Sequence, residues 1–251
     1  MSKLNPIRVL DCFAGIGGFS YAGKLVGGFT TTGFIECESY CQKILAQHWP
    51  SVPIASDIRA YKGTYGEADL ITAGFPCQDL STAGKLAGLQ GERSGLFYEV
   101  IRLAREIRPQ FLLLENVANL ASHQNGETFQ EVLYQIAKAG FDAEWAVIPA
   151  SDVGACHRRQ RMWIVAYANK VRLQAPWAEQ QTARFKQHRE LGAKQLHSNW
   201  RRYVSKPVLC RGDDGLSNRL DRLKALGNSI VPQCAVIPMQ RIKELAAIED
   251  S

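Results

Sequence analysis

The sequence predicts an α/β protein built on a doubly wound, mostly parallel sheet that helices cover on both faces. Up to about residue 168, short apolar runs rich in β-branched residues alternate with longer runs of helical periodicity. This alternation is typical of βαβ units, in which each helix carries the chain back to begin the next parallel strand. Residues 169–215 break the rhythm, and patterned sequence returns over 216–251. We therefore predict a main domain over 1–168, a small lobe over 169–215 and a C-terminal segment that returns to the main domain.

The periodicity gives each element approximate bounds. Strands are predicted at 7–10, 31–35, 69–73, 111–114, 143–148 and 162–167. Helices are predicted at 17–26, 38–48, 95–107, 128–139 and about 232–248. The helix at 95–107 shows one broad apolar face, as expected of a helix that packs on a sheet. The last two strands are too close in sequence for a crossover helix, which favours an antiparallel hairpin at an edge of the sheet.

The composition narrows the class of protein. Of the 251 residues, 46% are hydrophobic and 22% are charged, which is ordinary for a globular protein. The sequence has no apolar stretch long enough to cross a bilayer and no signal-peptide architecture at its start, so we expect a cytoplasmic protein without a membrane partner. Its seven cysteines form no CxxC pair, and we expect neither a disulfide framework nor a bound metal.

The positive charge is concentrated in one segment. The net charge is +6, while residues 170–206 carry nine Lys or Arg and two acidic residues, so the rest of the chain sums to −1. A local excess of this kind is expected of a nucleic-acid contact surface. A solvated basic insert without a partner would have the same composition, and charge alone leaves both interpretations open.

Three motifs are expected at one rim of the sheet. DCFAGIGG follows the first strand, FPCQDLS follows the strand at 69–73, and ENV follows the strand at 111–114. Ligands of doubly wound sheets bind at the carboxyl ends of the strands. The thiol of Cys77 and the carboxyl of Glu115 are therefore predicted to share a cleft with the glycine-rich turn.

The glycine-rich turn and two acidic positions favour a pocket for a nucleoside. Gly15, Gly17 and Gly18 would let the backbone approach a ligand and expose the amides of a helix N-terminus. Glu36 follows the second strand, where a ribose-binding acid belongs, and Asp57 is a further acid of this kind. A tight strand–helix turn without a ligand remains the alternative for these glycines.

A covalent mechanism is one function that fits the side chains of Cys77, Glu115 and a run of arginines. A thiol at a strand-end turn can become a nucleophile, and a neighbouring carboxyl can hydrogen-bond or protonate a ring nitrogen. Arg159 and Arg161 enter the last strand with alternate side chains on one face, from which they can bind a phosphate or a base edge. The alternatives are a buried structural cysteine, a surface acid and a charged strand entrance.

In this order, the motifs resemble those of the DNA (cytosine-5)-methyltransferase family. DCFAGIGGFS is similar to its S-adenosylmethionine loop, GFPCQDLS to its nucleophile motif and ENV to its glutamate motif. HRRQRMWIVA resembles the arginine motif before the recognition region, and LGNSIVP resembles the closing motif. The resemblance covers about 1–168 and 214–240, and it implies a Rossmann-like, class I methyltransferase fold with a small target-recognition lobe.

The resemblance also implies a role for each matched residue. Cys77 is the expected nucleophile, Glu115 the group at the cytosine N3, and Arg159 and Arg161 are expected to position the substrate. The residues expected at S-adenosyl-L-methionine, with S-adenosyl-L-homocysteine as product, are Phe13, Ala14, Gly15, Gly17, Glu36, Asp57, Ile58, Pro76, Asn228, Ser229 and Val231. The residues expected at nucleic acid are Gln78, Ser81, Arg93, Lys186, Arg189, Arg201 and Arg202.

The expected function is transfer of a methyl group to C5 of a flipped-out cytosine in a specific double-stranded DNA sequence, through a covalent bond between Cys77 and C6. Such enzymes belong to bacterial or phage DNA modification, with or without a restriction nuclease, and we expect a monomer. His157 departs from the family pattern, which has glutamine in many relatives at this position.

Three other functions are compatible with parts of the sequence. An RNA (tRNA) cytosine-5 methyltransferase would share the chemistry, but its branch carries a Cys-Phe-Thr motif, and residues 169–215 contain only Cys210, followed by Arg211. An inactive DNA-binding homologue is disfavoured because both Cys77 and Glu115 are present. A nicotinamide-dependent oxidoreductase is disfavoured because the glycine fingerprint is incomplete.

Overall fold

A computed structural model describes residues 5–76, 95–168 and 225–249, and within these residues seven strands form one mixed sheet. The strands are β1 (Ile7–Cys12), β2 (Phe29–Ile35), β3 (Ile54–Ala55), β4 (Leu70–Gly74), β5 (Phe111–Val117), β6 (Phe141–Ile148) and β7 (Arg161–Ala168). The helices are α1 (Gly18–Val26), α2 (Ser39–His48), α3 (Gly95–Ile107), α4 (Glu127–Lys138) and α5 (Pro232–Glu249).

The strand order is β3-β2-β1-β4-β5-β7-β6, and the sheet reverses direction at a single strand. β1 is parallel to β2 and to β4, β2 is parallel to β3, and β4 is parallel to β5. β7 is antiparallel to both of its neighbours, β5 and β6. The predicted doubly wound, mostly parallel sheet and its terminal hairpin are therefore confirmed.

The end of β5 and the presence of β3 differ from the prediction for identifiable reasons, while the bounds of the other described strands agree within two residues. β5 continues through Glu115, Asn116 and Val117, because β7 pairs with it along this whole length. The motif ENV therefore forms the last part of the strand, where it was expected to follow it. β3 was not predicted, since two residues carry no periodicity. The boundaries of the basic lobe fall within residues 169–224, outside the described residues, so they stay a prediction.

Two apolar layers enclose the sheet. On one face, α1 and α5 pack against β5 and β7, with Phe19 and Ile237 in the same buried cluster as Trp163. On the other face, α3 and α4 place Ile101 and Val132 in the cluster that contains alternate residues of the same strands. Leucines 112, 113 and 114 of β5 are fully buried, as expected of a central strand covered on both faces. In the described part of the chain, no helix combines the length and apolarity needed to span a bilayer.

A partly buried ion pair attaches α5 to the edge of the sheet. Arg241 Nε lies 2.7 Å from Glu144 Oε1, and the two side chains are 4% and 12% exposed. A second hydrogen bond of 3.3 Å joins Arg241 Nη2 to Glu144 Oε2, so the guanidinium and the carboxylate form a bidentate pair. This pair fixes the rotation of α5 relative to β6.

Removing one partner of this pair should destabilise the protein more than removing both. Arg241→Met is expected to lower the free energy of unfolding by about 2 kcal/mol, because the Glu144 carboxylate loses this cation at a site that water only partly reaches. The double variant Arg241→Met/Glu144→Leu should recover most of that loss, since two apolar side chains can occupy the same space. Urea unfolding of both variants measures this, and equal destabilisation of the single and double variants would contradict it.

Candidate active site

A cavity of about 560 Å³ opens at the carboxyl ends of β1, β2, β4 and β5. This is the rim at which the three motifs were predicted to meet. Its lining comes from four strand-end segments, from the start of β7 and from residues 225–230. The lining residues that the sequence predicted are Phe13, Ala14, Gly15, Glu36, Pro76, Glu115, Arg159, Arg161, Asn228 and Ser229. The structure thus brings together ten of the fourteen predicted site residues that it describes.

The turn after β1 adopts a left-handed backbone that explains its glycines. Phe13, Gly15 and Gly17 have φ angles of 54°, 55° and 84°. A Cβ atom at Gly17 would lie 2.6 Å from the Trp49 ring, and one at Gly18 would lie 2.5 Å from Ile230 Cγ1. Both glycines are therefore required by close packing. Phe13 holds the left-handed backbone with a full side chain, which is strain of the kind found at functional sites.

Glu36 ties the turn after β1 to the turn after β2. Its Oε2 accepts a hydrogen bond of 2.7 Å from the Gly15 amide, and its Oε1 accepts one of 2.8 Å from the Glu38 amide. The side chain is 93% buried at the cavity wall, with a relative exposure of 7%. Each carboxylate oxygen has more than one lone pair, so this group can also accept hydrogen bonds from ligand hydroxyls.

Asp11 is a buried acid beneath the turn that the sequence analysis did not single out. Its carboxyl accepts hydrogen bonds of 2.9 Å from Ser20 Oγ and 2.8 Å from Thr72 Oγ1, joining β1 to α1 and β4. Complete burial raises the pKa of Asp11 to about 7, although both hydrogen bonds act in the opposite direction. An acid inside the apolar run VLDCF was the signal that could have found it.

Glu115 is placed between β4 and β7 by the register of the sheet. It pairs with Gly74 on one side and with Trp163 on the other, and it is 9% exposed. Arg161 Nε lies 2.9 Å from its Oε1. Burial raises the pKa of Glu115 to about 7, and this outweighs the opposite effects of Arg161 and Arg159. A carboxyl that titrates near neutral pH can both give and take a proton at a cavity wall.

Asn116 is a second residue that the sequence analysis did not single out. Its Nδ2 donates a hydrogen bond of 3.0 Å to the carbonyl of Phe75, and its Oδ1 accepts one of 2.8 Å from the Val117 amide. The side chain is buried and links the end of β5 to the segment that follows β4. It therefore fixes the path of the chain at Phe75 and Pro76, directly before Cys77.

Several predicted site residues fall outside the described part of the chain. They are Cys77, Gln78, Ser81, Arg93, Lys186, Arg189, Arg201 and Arg202. Their roles stay predictions.

The structure does not bring Gly17, Asp57, Ile58 and Val231 into the lining of the cavity. Asp57 is exposed and accepts a hydrogen bond from the Arg59 amide, while Ile58 is buried in the apolar layer under α3. Arg102 accounts for this path, since its Nη2 donates to the Ile58 carbonyl at 2.8 Å and draws the loop towards α3. Val231 packs with the apolar cluster under α1 and α5, and its neighbour Ile230 lines the cavity instead.

The arginines of the strand entrance divide between two partners. Arg161 contacts Glu115, whereas Arg159 Nη2 donates hydrogen bonds of 2.8 Å to the carbonyls of both Gly227 and Ser229. Arg158 and His157 are exposed beside them and do not line the cavity. Among the described residues, no group of His, Cys, Asp or Glu side chains is arranged to hold a metal ion.

Solved structures of other proteins share this architecture. The chain is similar to a protein of an E. coli prophage studied as a DNA modification methyltransferase, with a TM-score of 0.56 and 22% identity, covering 67% of this chain and 49% of that one. It is also similar to the S. pombe Dnmt2 methyltransferase, with a TM-score of 0.54 and 19% identity, covering 68% and 52%. Likeness at these identities shows the fold alone, and the fold is the doubly wound, Rossmann-like architecture of those methyltransferases.

The family follows from the sequence itself. The model of the C-5 cytosine-specific DNA methylase family matches residues 7–209, and the chain belongs to this family. The predicted resemblance is thereby confirmed. The chain is 34% identical over 164 residues to the type II methyltransferase M.DsaV of Dactylococcopsis salina, covering 65% of this chain and 46% of that protein. It is 31% identical over 172 residues to M.HhaI of Haemophilus parahaemolyticus, covering 68% and 52%. The chain thus spans about half the length of the curated relatives it matches.

The pKa of Glu115 predicts how stability depends on pH. The carboxyl has a pKa of 4.5 in its ordinary state and about 7 in the folded protein, so between these values the folded protein binds more protons than the unfolded chain. Raising the pH through this window therefore removes stability. Glu115→Gln cannot titrate, and its stability relative to the unmodified protein should increase by about 1–3 kcal/mol between pH 5 and pH 8. Urea unfolding at both pH values measures the difference, and parallel pH profiles would contradict the assignment.

Proposed function

We propose that the chain is a DNA (cytosine-5)-methyltransferase that transfers a methyl group from S-adenosyl-L-methionine to C5 of a flipped-out cytosine in a specific DNA sequence. The observation that carries this proposal is the position of Glu115. Its carboxyl is buried at the cavity wall, titrates near pH 7 and lies one strand away from the segment that leads into Cys77. Membership of the family supplies the reaction class in which such a carboxyl faces a pyrimidine ring.

The residues of the cavity suit the cofactor. A volume of about 560 Å³ is within the range of pockets that enclose small-molecule cofactors. When bound, the cofactor supplies an electrophilic methyl group and leaves as S-adenosyl-L-homocysteine. Glu36 would accept hydrogen bonds from the ribose hydroxyls, and the turn with Phe13, Ala14, Gly15 and Gly17 would approach the cofactor through its backbone. Pro76, Asn228 and Ser229 would complete the opposite walls.

The adenine contact needs a different set of residues from the one the sequence predicted. Asp57 and Ile58 would have to leave their present path to reach the cavity, because the Ile58 carbonyl is bonded to Arg102. Tyr40 and Cys41 line the cavity next to Glu36 and Glu38. We propose that this part of α2 supplies the wall against which the adenine ring packs.

The proposed chemistry uses Cys77 and Glu115 together. The Cys77 thiolate adds to C6 of the cytosine, which makes C5 nucleophilic enough to accept the methyl group. Glu115 hydrogen-bonds or protonates N3 and so stabilises the charge that develops on the ring. Loss of the proton from C5 and cleavage of the sulfur–C6 bond then restore the thiolate and release 5-methylcytosine. Arg161 holds the Glu115 carboxyl in place through its Nε, which lies 2.9 Å from Glu115 Oε1.

We propose double-stranded DNA as the substrate and a monomer as the acting form. A base stacked in a duplex cannot reach a strand-end cavity, so the target cytosine must rotate out of the helix. The basic segment at 170–206 would neutralise the phosphates on either side. The curated relatives above are type II methyltransferases, which supports DNA as substrate over RNA and supports a role in bacterial or phage DNA modification in the cytoplasm.

Replacing the proposed nucleophile should stop turnover without affecting the cofactor. Cys77→Ala is expected to lower methyl transfer by at least about a thousandfold, because no covalent bond to C6 can form. Its affinity for S-adenosylhomocysteine should be unchanged. Duplex DNA with 5-fluorocytosine at the target should trap the unmodified protein covalently, since fluorine cannot leave C5 as a proton. The exposed Cys156 provides a matched control, and Cys156→Ala should keep full activity. Turnover by Cys77→Ala at the normal rate would refute the mechanism.

Neutralising part of the basic segment should change the salt dependence of DNA binding. Replacing Lys186, Arg189, Arg201 and Arg202 with Gln is expected to reduce the slope of log K against log salt by up to about one unit per lost phosphate contact. The matched control replaces four exposed basic residues of the main domain with Gln, namely Lys43, Lys62, Arg105 and Lys138. Both variants lose four charges, so equal slopes in the two would show that the segment has no special role.

A further inference from the structure

Arg159 connects two parts of the chain that are far apart in sequence. Its Nη2 donates one hydrogen bond to the carbonyl of Gly227 and one to the carbonyl of Ser229, each 2.8 Å long. Its backbone has a φ angle of 23°, which is in the region that L-residues rarely adopt. The backbone strain is tolerated at the position from which the side chain reaches residues 225–230.

Residues 225–230 form one wall of the cavity, and five of them line it. The amide of Ser229 bonds to the Ala225 carbonyl, and its hydroxyl bonds to the Leu226 carbonyl at 3.1 Å. These bonds shape the wall but do not attach it to the sheet. Attachment comes from the Ile230 side chain, which packs on Gly18, and from the two bonds of Arg159.

The two arginines of the strand entrance therefore have separate tasks. Arg161 is bonded to the Glu115 carboxyl, whereas the guanidinium of Arg159 is turned to the carbonyls of the wall. The Nε of Arg159 is buried and has no hydrogen-bond partner among the described residues. Its orientation is thus set by the two carbonyls, even though one of its donors stays unsatisfied. Arg161 and burial both lower the pKa of Arg159, and it keeps its charge because guanidinium groups do not lose their protons in proteins.

We infer that Arg159 is a positioning residue of the cofactor site, which holds residues 225–230 as a wall of the cavity, and that of these two arginines only Arg161 bonds to the Glu115 carboxyl. This inference rests on the proposed function for the identity of the ligand. It differs from the sequence-based prediction, in which both arginines position the substrate. It requires that loss of Arg159 weakens cofactor binding before any DNA is present.

The test compares three arginines that are neighbours in the chain. Arg159→Gln is expected to raise the Kd for S-adenosylhomocysteine in the absence of DNA by about tenfold or more, because charge-assisted bonds to two carbonyls are lost. Arg161→Gln and the exposed Arg158→Gln should bind S-adenosylhomocysteine with the Kd of the unmodified protein. In steady-state assays, Arg159→Gln should raise KM for S-adenosylmethionine more than it lowers kcat, and Arg161→Gln should do the reverse.

Calorimetric titration gives the Kd values, and the thermal midpoint without ligand shows whether each variant is folded. A folded Arg159→Gln protein with the normal Kd, and a loss confined to kcat or to DNA binding, would overturn the inference. If Arg159→Gln does not fold, Arg159→Lys is tested by the same criterion, since lysine is shorter and lacks the planar fork. Failure of the unmodified protein to bind the cofactor would instead refute the proposed function.

Discussion

The register of β5 between β4 and β7 is the constraint on which the candidate site depends. It aligns Gly74, Glu115 and Trp163 across three strands. A Cβ atom at Gly74 would lie 3.5 Å from Glu115 Oε2, which is ordinary van der Waals contact, so the register brings the carboxyl directly beside this residue. Successive side chains of a strand face opposite sides of the sheet. Glu115 therefore faces Arg161, while Asn116 faces the segment after β4, and a shift of one residue would exchange them.

Burial determines the electrostatics of this rim. Glu115 has an arginine at 2.9 Å, which on its own would favour the ionised carboxylate, yet its pKa rises to about 7. The apolar layer under α1 and α5, which includes Leu113 and Trp163, supplies the opposing and larger effect. The same cause raises the pKa of Asp11 to about 7, although this carboxyl accepts hydrogen bonds from the hydroxyls of Ser20 and Thr72. The fold thus raises the pKa values of two carboxyl groups to about 7, one at the cavity wall and one beneath the turn.

Much of the fold and the position of the site could be predicted from the sequence. Periodicity located the helices α1 to α5 within about two residues, and its signal was clearest at α3, which buries one broad apolar face on the sheet. The strand-end rule brought Phe13, Glu36 and Glu115 to one rim, since it depends only on strand direction. The same rule could not predict whether a loop residue after a strand lines the cavity at the rim or packs in the apolar core. The path of Ile58 is set by a hydrogen bond to Arg102, which is 44 residues away in sequence. Asn116 and Asp11 were missed for the related reason that their partners lie on other strands and on a helix.

The cavity wall at residues 225–230 connects the candidate site to the packing of α1 and α5. α5 follows this wall directly and packs on α1, whose first residue, Gly18, contacts Ile230. The turn before α1 is in turn bonded to Glu36, on the far side of the cavity. A ligand between Glu36 and the wall would contact both of these parts of the cavity. Because the cavity exists only in the folded protein, the ligand would bind the folded state alone. Its binding energy would therefore add to the stability of the α1–α5 layer. Two residues with a strained backbone belong to the same set of contacts. Phe13 lies in the turn after β1, and Arg159 bonds to the cavity wall, so the strain is found where the positions of the turn and the wall are set.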